Sequence, residues 1–501
     1  MNLYLLAALV IVGATAIVAV IKSQLATYDI IDGARWLTGI GKWRLLRRRP
    51  SGVLADGRRR LSVRRSEMGT IVSAPSGAGK SSSVIIPNVL ALKNGSAIVT
   101  DLAGEIFDQT AGKKAEDGFQ IAVFNLSDPS RSLSFNPLQH SAGSHTEINK
   151  ISETLVTSAF PEEGSNKFWN DAARSAIAII IKCVMNTDPK FANLGNVYRL
   201  CNSFGPDGSG LDDFVLKHAD KTVFTEFLGL RSNSERTFAS LISTARTALS
   251  AFSDPNLCRI TSTDTLGIST LRERPTILYL IVRENELPYF AFMLSLLYQA
   301  IFDMAMLLPK MGEPYLPLLL LLDEVGHLRI PGFAMYTSTL RKRSCQIVAA
   351  LQSEFQLESQ YGRQGAQEIL AGSLSTKIYL PGLPYSTCSE LERVLGRQTL
   401  EDRKTGQRFS QPLATADEIR TMRDGTGIMV SGNSEPVKLR MTAFFERRDF
   451  GRYSKIPPPE IPVSENSELD YIDLQRDETS TGRLPEVPVN AQSTSGNGVT
   501  V

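Results

Sequence analysis

Residues 74–81 read Ala-Pro-Ser-Gly-Ala-Gly-Lys-Ser, a stretch that restricts the surrounding chain to very few local folds. A loop of the form GxxxxGK[ST] cradles an anion with inward-turned backbone N–H groups, and it works only between the end of a strand and the start of a helix. That context is present. Residues 68–73 (MGTIVS) form a short apolar run of strand character, and 81–92 carry a helical pattern. Gly77 and Gly79 permit the tight backbone angles, and the helix adds its positive N-terminal end. Lys80 is then placed to reach the β- and γ-phosphates of a nucleotide such as ATP, and Ser81 to hold Mg2+. Ala74 stands where the pattern has glycine; with Pro75, Ser76 and Ala78 it completes the candidate loop.

A loop of this kind also needs a carboxylate at the tip of a buried strand to hold the magnesium shell. Leucines 318–322 run straight into Asp323 and Glu324. Asp323 is expected to bind Mg2+ through water, and Glu324 is the candidate base that polarises the attacking water. Residues 346–353 (QIVAALQS) predict a strand with Gln352 at its exit, where an amide senses a γ-phosphate. Between them lie Arg341, Lys342 and Arg343. An arginine offered across a subunit boundary neutralises transition-state charge; a solvated helix end is the alternative for this trio.

Short β-branched runs at 96–100 and 120–124, separated by a helix-like 105–115, predict a parallel sheet with crossover helices. From 146 to 262 the pattern is helical with almost no strand signal, including 171–185 and 234–252. Strand signals return at 276–282, 316–322, 346–350, 377–380 and 427–430. The expected organisation is a nucleotide-binding domain in two parts, 68–145 and 263–450, split by an all-α insertion at 146–262. Residues 289–308 are apolar enough to span a membrane, but Gln299 and Asp303 interrupt them between two sheet strands, which predicts a buried helix.

Residues 3–21 carry no charge, and about 19 residues at roughly 1.5 Å each come close to crossing the hydrocarbon core. The expectation is one transmembrane helix within 1–24; a cleaved signal peptide is the alternative, but no basic residue precedes the run. A basic stretch follows at 25–67, with Arg44, Arg47, Arg48, Arg49, Arg58, Arg59, Arg60 and Arg64, and it predicts that everything after the helix is cytoplasmic. This stretch reads either as contact with anionic lipid heads or as a phosphate-binding collar. The net charge of +2 argues against a globally basic nucleic-acid binder. The five cysteines and four histidines lack metal-site spacing. Residues 451–501, rich in Pro, Ser, Glu and Asp, predict a disordered tail, inert or a docking arm.

These motifs together resemble the coupling proteins of conjugation and type IV secretion, the TraG/TraD-like branch of the FtsK/HerA superfamily. Besides the loop at 74–81, TDLAGEIFDQTAG, VFNLSDPSRS and SFNPL look like that family's DxKGE, VFDP and FNPL stretches, with Ala103 where many relatives have lysine. KFWNDAARS (167–175), LLLLDEVGHL (319–328), AALQSEFQLESQYG (349–362) and LATADEIRTMRDGTGIMVSG (413–432) extend the likeness in order. The resemblance implies a RecA-like P-loop ATPase domain interrupted by an all-α domain that faces substrate, with one membrane helix before it where most relatives have two. It further implies a hexamer tethered to the bacterial inner membrane. Such a machine uses ATP and Mg2+ to drive relaxase-bound single-stranded DNA, secreted proteins or both into a type IV secretion channel. By position, Lys80, Ser81, Asp323, Glu324 and Gln352 match the family's ATP machinery, and Arg341 its arginine acting from a neighbouring subunit. A DNA pump of the FtsK type is expected to carry a long linker and a DNA-reading domain, which the sequence does not display. A non-hydrolysing scaffold does not explain Lys80 together with Asp323 and Glu324.

Overall fold

The computed structural model describes residues 28–49, 51–161, 167–203, 209–307, 315–463 and 469–473. The expected membrane helix within 1–24 and the tail beyond 473 lie outside the described residues. In chain order the strands are β1 (Tyr28–Gly33), β2 (Leu54–Asp56), β3 (Arg59–Arg60), β4 (Thr70–Ser73), β5 (Ser96–Leu102), β6 (Gln120–Asn125) and β7 (Thr276–Val282). They continue with β8 (Leu318–Leu322), β9 (Cys345–Leu351), β10 (Thr376–Tyr379), β11 (Arg397–Asp402), β12 (Arg408–Pro412), β13 (Thr426–Ser431) and β14 (Val437–Arg440).

Among the described residues nine strands make one mixed sheet, ordered β14-β13-β10-β4-β9-β8-β5-β7-β6. Every pairing from β10 to β6 is parallel, and β13 and β14 add an antiparallel edge. Parallel strands are covered on both faces, so they read as unbroken apolar runs. The period of two then sorts one leucine run onto two cores. Leu318, Leu320 and Leu322 join Ile71, Ile98 and Leu280 on one face, while Leu319 and Leu321 join Val72 and Val99 on the other.

Between β6 and β7 the described chain forms helices and no strand, among them His145–Ala159, Lys167–Met185 and Glu235–Ala248. This is where the sequence predicts an inserted all-α domain. Its apolar residues have no core of their own: Leu155, Ile177 and Ile181 share one cluster with Phe124, Leu280 and Leu320 of the sheet.

The helix Leu287–Met306 carries much of that continuity. By length and composition it could cross a membrane, yet Leu294, Leu297, Tyr298 and Phe302 are fully buried inside the protein. The polar residues that interrupt its apolar run fasten it on both sides. The Tyr298 hydroxyl lies 2.5 Å from Thr100 of β5, and the Gln299 Oε1 accepts from Thr154 at 2.7 Å. Asp303 accepts from Tyr336 at 2.6 Å and pairs with Lys150 at 3.0 Å.

Two stretches depart from the sequence reading. The described part of the basic stretch is partly built into the fold: Leu46, Val53 and Leu61 are wholly buried in the same core as Val72 of β4. Within it the Arg60 guanidinium donates to the carbonyls of Gly52 (2.8 Å) and Ala91 (2.6 Å), and burial pushes its pKa down to about 10. Arg44, Arg48, Arg58 and Arg64 remain exposed. Arginines that cap carbonyls across a fold look, in sequence, the same as arginines facing lipid. The tail likewise begins as ordered chain. It crosses the helix Glu105–Glu116 so closely that a side chain at Gly112 would stand 2.3 Å from the carbonyl oxygens of Ile456 and Pro457.

Asn88 ties the basic stretch to the nucleotide-binding part. Its buried amide accepts from Leu54 N (2.7 Å) and donates to the carbonyls of Leu54 (3.1 Å) and Val84 (2.8 Å). Asn88→Ala leaves those buried groups unpaired and is expected to cost about 1–3 kcal/mol in denaturant unfolding. An unchanged midpoint would mean that β2 is not part of the cooperative fold.

Candidate active site

The phosphate-type loop leaves β4 in the middle of the sheet, at the carboxyl edge where open α/β sheets form their crevices. Gly77 (φ +77°) and Gly79 (φ +83°) both take the left-handed backbone that turns the loop's N–H groups inward. Ala74 does not: it is buried with an ordinary φ, its N–H donating to Leu351 O at 3.1 Å, so this position does not require glycine. The expected helix at 81–92 is in fact a wide π-type turn, Ser81–Ile85, followed by a short α-helix, Ile86–Ala91. Pro87 supplies no N–H to the regular ladder, which explains the break.

Lys80 and Glu324 meet in a buried ion pair, their side chains only 7% and 8% exposed. The Ser81 hydroxyl donates to Asp323 Oδ2 at 3.2 Å, and the Glu324 N–H donates to Asp323 Oδ1 at 3.1 Å. A loop and an acidic strand end more than 240 residues apart therefore converge at one place. Burial pushes the Asp323 carboxyl up to about 6; Lys80 opposes that shift and Glu324 adds to it. A carboxyl so perturbed beside a lysine and a second carboxylate is a signature of a working site.

Glu324 itself is held at φ +54°, a backbone region that non-glycine residues rarely adopt. Among the described residues its Oε2 is buried without a hydrogen-bond partner. An orphaned carboxylate oxygen beside a lysine, a serine hydroxyl and a second carboxylate fits a site built for a phosphate chain and a divalent cation. Lys80 and Ser81 are the groups that could hold the former, and Ser81 and Asp323 the latter.

The strand β9 lies between β4 and β8, with Leu351 level with Ser73 and Ala349 level with Leu322. Gln352 follows directly and so stands between loop and acids. Its N–H donates to Gln356 Oε1 at 3.0 Å. Gln356 also packs on the acidic turn: a Cβ at Gly326 would lie 2.6 Å from Gln356 Cβ. The sequence reading missed Gln356; its spacing of four from Gln352 was the available signal. Arg341 is elsewhere. It follows the helix Phe333–Leu340 and precedes β9, a strand of seven residues and so about 23 Å long, whose far end leads into Gln352. Arg341 and Lys342 are exposed.

A model of the family described as type IV secretory system conjugative DNA transfer matches residues 47–459. The chain is 25% identical over 403 residues to the protein VirD4 of Rhizobium rhizogenes, covering 76% of this chain and 59% of that protein. It is 24% identical over 459 residues to VirD4 of Agrobacterium fabrum (85% and 67%). It thus spans about three-fifths to two-thirds of the length of these relatives. Among solved structures, the plasmid coupling protein TrwB in complex with ADP and Mg2+ superposes with a TM-score of 0.69 at 19% identity, covering 83% of this chain and 96% of that one. A sulphate complex of TrwBdeltaN70 gives 0.70 at 18% identity (88% and 99%). These likenesses show the same α/β fold around a central mixed sheet.

Removing one partner from a buried pair leaves the other charge unmatched. Lys80→Ala is expected to lower stability by about 3–5 kcal/mol, and Lys80→Ala with Glu324→Gln to recover most of that loss. Equal losses in the single and double variants, measured by denaturant unfolding, would show that the pair is not coupled.

Proposed function

The chain belongs to the type IV secretory system conjugative DNA transfer family, and we propose that it is an ATPase that drives transfer of that kind. The observation that carries this reading is the buried contact of Lys80 with Glu324 beside Ser81 and Asp323. Lys80 would hold the β- and γ-phosphates, the loop 74–81 would wrap them with backbone N–H groups, and Ser81 with Asp323 would hold Mg2+. Mg2+ neutralises charge that develops on the transferring phosphoryl group.

Within the chain the first step is an exchange of partners. Lys80 is bound to Glu324, so a phosphate chain that takes Lys80 releases Glu324. The freed carboxylate then orients and polarises a water, while Gln352, between the two strand ends, senses the γ-phosphate. Arg341, before the other end of β9, completes the charge neutralisation from a neighbouring copy.

This arrangement calls for a homo-oligomer, a hexamer by analogy with the family's pore-forming ATPases. The reading places it at the bacterial inner membrane, single-pass through the helix within 1–24, with the remainder cytoplasmic. Its cargo is relaxase-bound single-stranded DNA, secreted proteins or both, passed to the components of a type IV secretion channel. The helical stretch 146–262 is the proposed cargo-facing part and 451–501 the proposed tail.

Glu324→Gln is expected to keep ATP binding and to lower hydrolysis by roughly 10²–10⁴-fold, while Lys80→Ala loses hydrolysis and transfer with membrane insertion intact. Transfer by the Lys80→Ala protein would refute the mechanism. Arg341→Ala and Lys80→Ala proteins, each inactive alone, should regain part of the ATPase activity when co-assembled. No recovery on mixing would remove Arg341 from the site.

A further inference from the structure

Far along the chain from the nucleotide machinery, the helix Leu194–Asn202 carries a short piece of the tail, Leu469 to Asp473. The contact has the form of peptide recognition. The Asn196 side chain, 1% exposed, donates from Nδ2 to the carbonyl of Asp470 and accepts at Oδ1 from the N–H of Ile472, each at 3.0 Å. A carboxamide that engages the carbonyl of one residue and the amide two further on replaces the edge of a neighbouring strand, and it reads backbone, not sequence. Side chains supply the selectivity. The Arg199 guanidinium lies 4.2 Å from the centre of the Tyr471 ring, Ile472 is buried to 9% exposure in the main core, and Leu469 packs against the same cluster.

A segment whose composition forbids independent folding is thus held by a built site, with a buried amide spent on it. The occupant is also incomplete. Among the described residues Arg199 Nη1 is buried with no hydrogen-bond partner, and what Tyr471 presents to the guanidinium is its ring face. An extended segment that placed a carboxylate or carbonyl at that level would satisfy this donor and displace the tail.

We infer that the face of Leu194–Asn202 is a peptide-docking site, occupied in cis by Leu469 to Asp473 and opened to an extended, acidic segment of a protein partner when the tail leaves it. The inference is independent of nucleotide chemistry. Tethering gives the tail a high effective concentration, so it competes strongly with anything arriving from solution.

The test uses the full chain in detergent micelles and a fluorescent peptide of residues 467–475, followed by anisotropy. Ile472→Asp puts a charge where the core must be, so it empties the site without touching the helix. The peptide is expected to bind the Ile472→Asp chain at least about tenfold more tightly than the unaltered chain. That gain should vanish when Asn196→Ala is added, shrink with Arg199→Ala, and be absent for a peptide carrying Ile472→Asp. Equal binding to the unaltered and Ile472→Asp chains would overturn the inference. So would binding indifferent to both Asn196→Ala and Arg199→Ala in chains whose circular dichroism is unchanged.

Discussion

A lysine and a glutamate can stay charged inside a sheet only in contact, because an isolated buried charge costs far more than a fold of this size has to spare. Lys80 and Glu324 meet that condition, and the architecture around them follows from it. The loop must leave one strand and the acid another, both at the carboxyl edge and close enough to touch. The order β4-β9-β8 provides this with a single strand between, and that strand brings Gln352 to the same edge. The positive φ of Glu324 belongs to the same constraint: a strained backbone aims the carboxylate back at Lys80 instead of outward to water.

The parts legible in the sequence are those where one local signal sufficed. Residues 276–282 match β7 to the residue, and the leucine run matches β8 except for its start, because Pro317 cannot donate to a ladder. The convergence of the candidate site was legible for a similar reason: glycines at a forced φ before a lysine, and acids at the end of an apolar strand, are marks that local sequence carries openly. The small sheet β1-β11-β12 was not legible. Tyr28 pairs with Asp402 across most of the chain, and β12 is a polar, largely exposed run, so neither hydrophobic alternation nor turn chemistry marks it. Arg60 misled for the opposite reason, since a guanidinium that caps two carbonyls carries no mark of burial in its neighbours.

Two alanines show how far a motif can be read. At position 74 the family's glycine is dispensable, because the backbone there is ordinary and the neighbours leave room for a methyl group. At position 103 the reverse holds. Ala103 takes φ +108° immediately before Gly104 at +84°, so the turn from β5 into Glu105–Glu116 stores strain in a non-glycine residue, whose N–H donates to Val282 O at 3.2 Å. Below that turn, Asp101 accepts the N–H groups of Ile106 (3.1 Å) and Phe107 (2.7 Å), which fixes the helix start and leaves the turn little freedom to relax.

The continuity of the core decides which motions the molecule can use. The helices between β6 and β7 share one cluster with the sheet, and Leu287–Met306 is pinned to β5 by Tyr298 and to His145–Ala159 by Gln299 and Asp303. Close-packed interiors do not slide continuously. A hinge between sheet and helices would have to break Thr154–Gln299 and Lys150–Asp303 together and open apolar surface along the whole helix. An exchange of partners at Lys80 breaks none of these contacts by itself. Sheet and helices are thus joined by one continuous core, and the tail clasped by Asn196 is attached to it by a much smaller set of contacts.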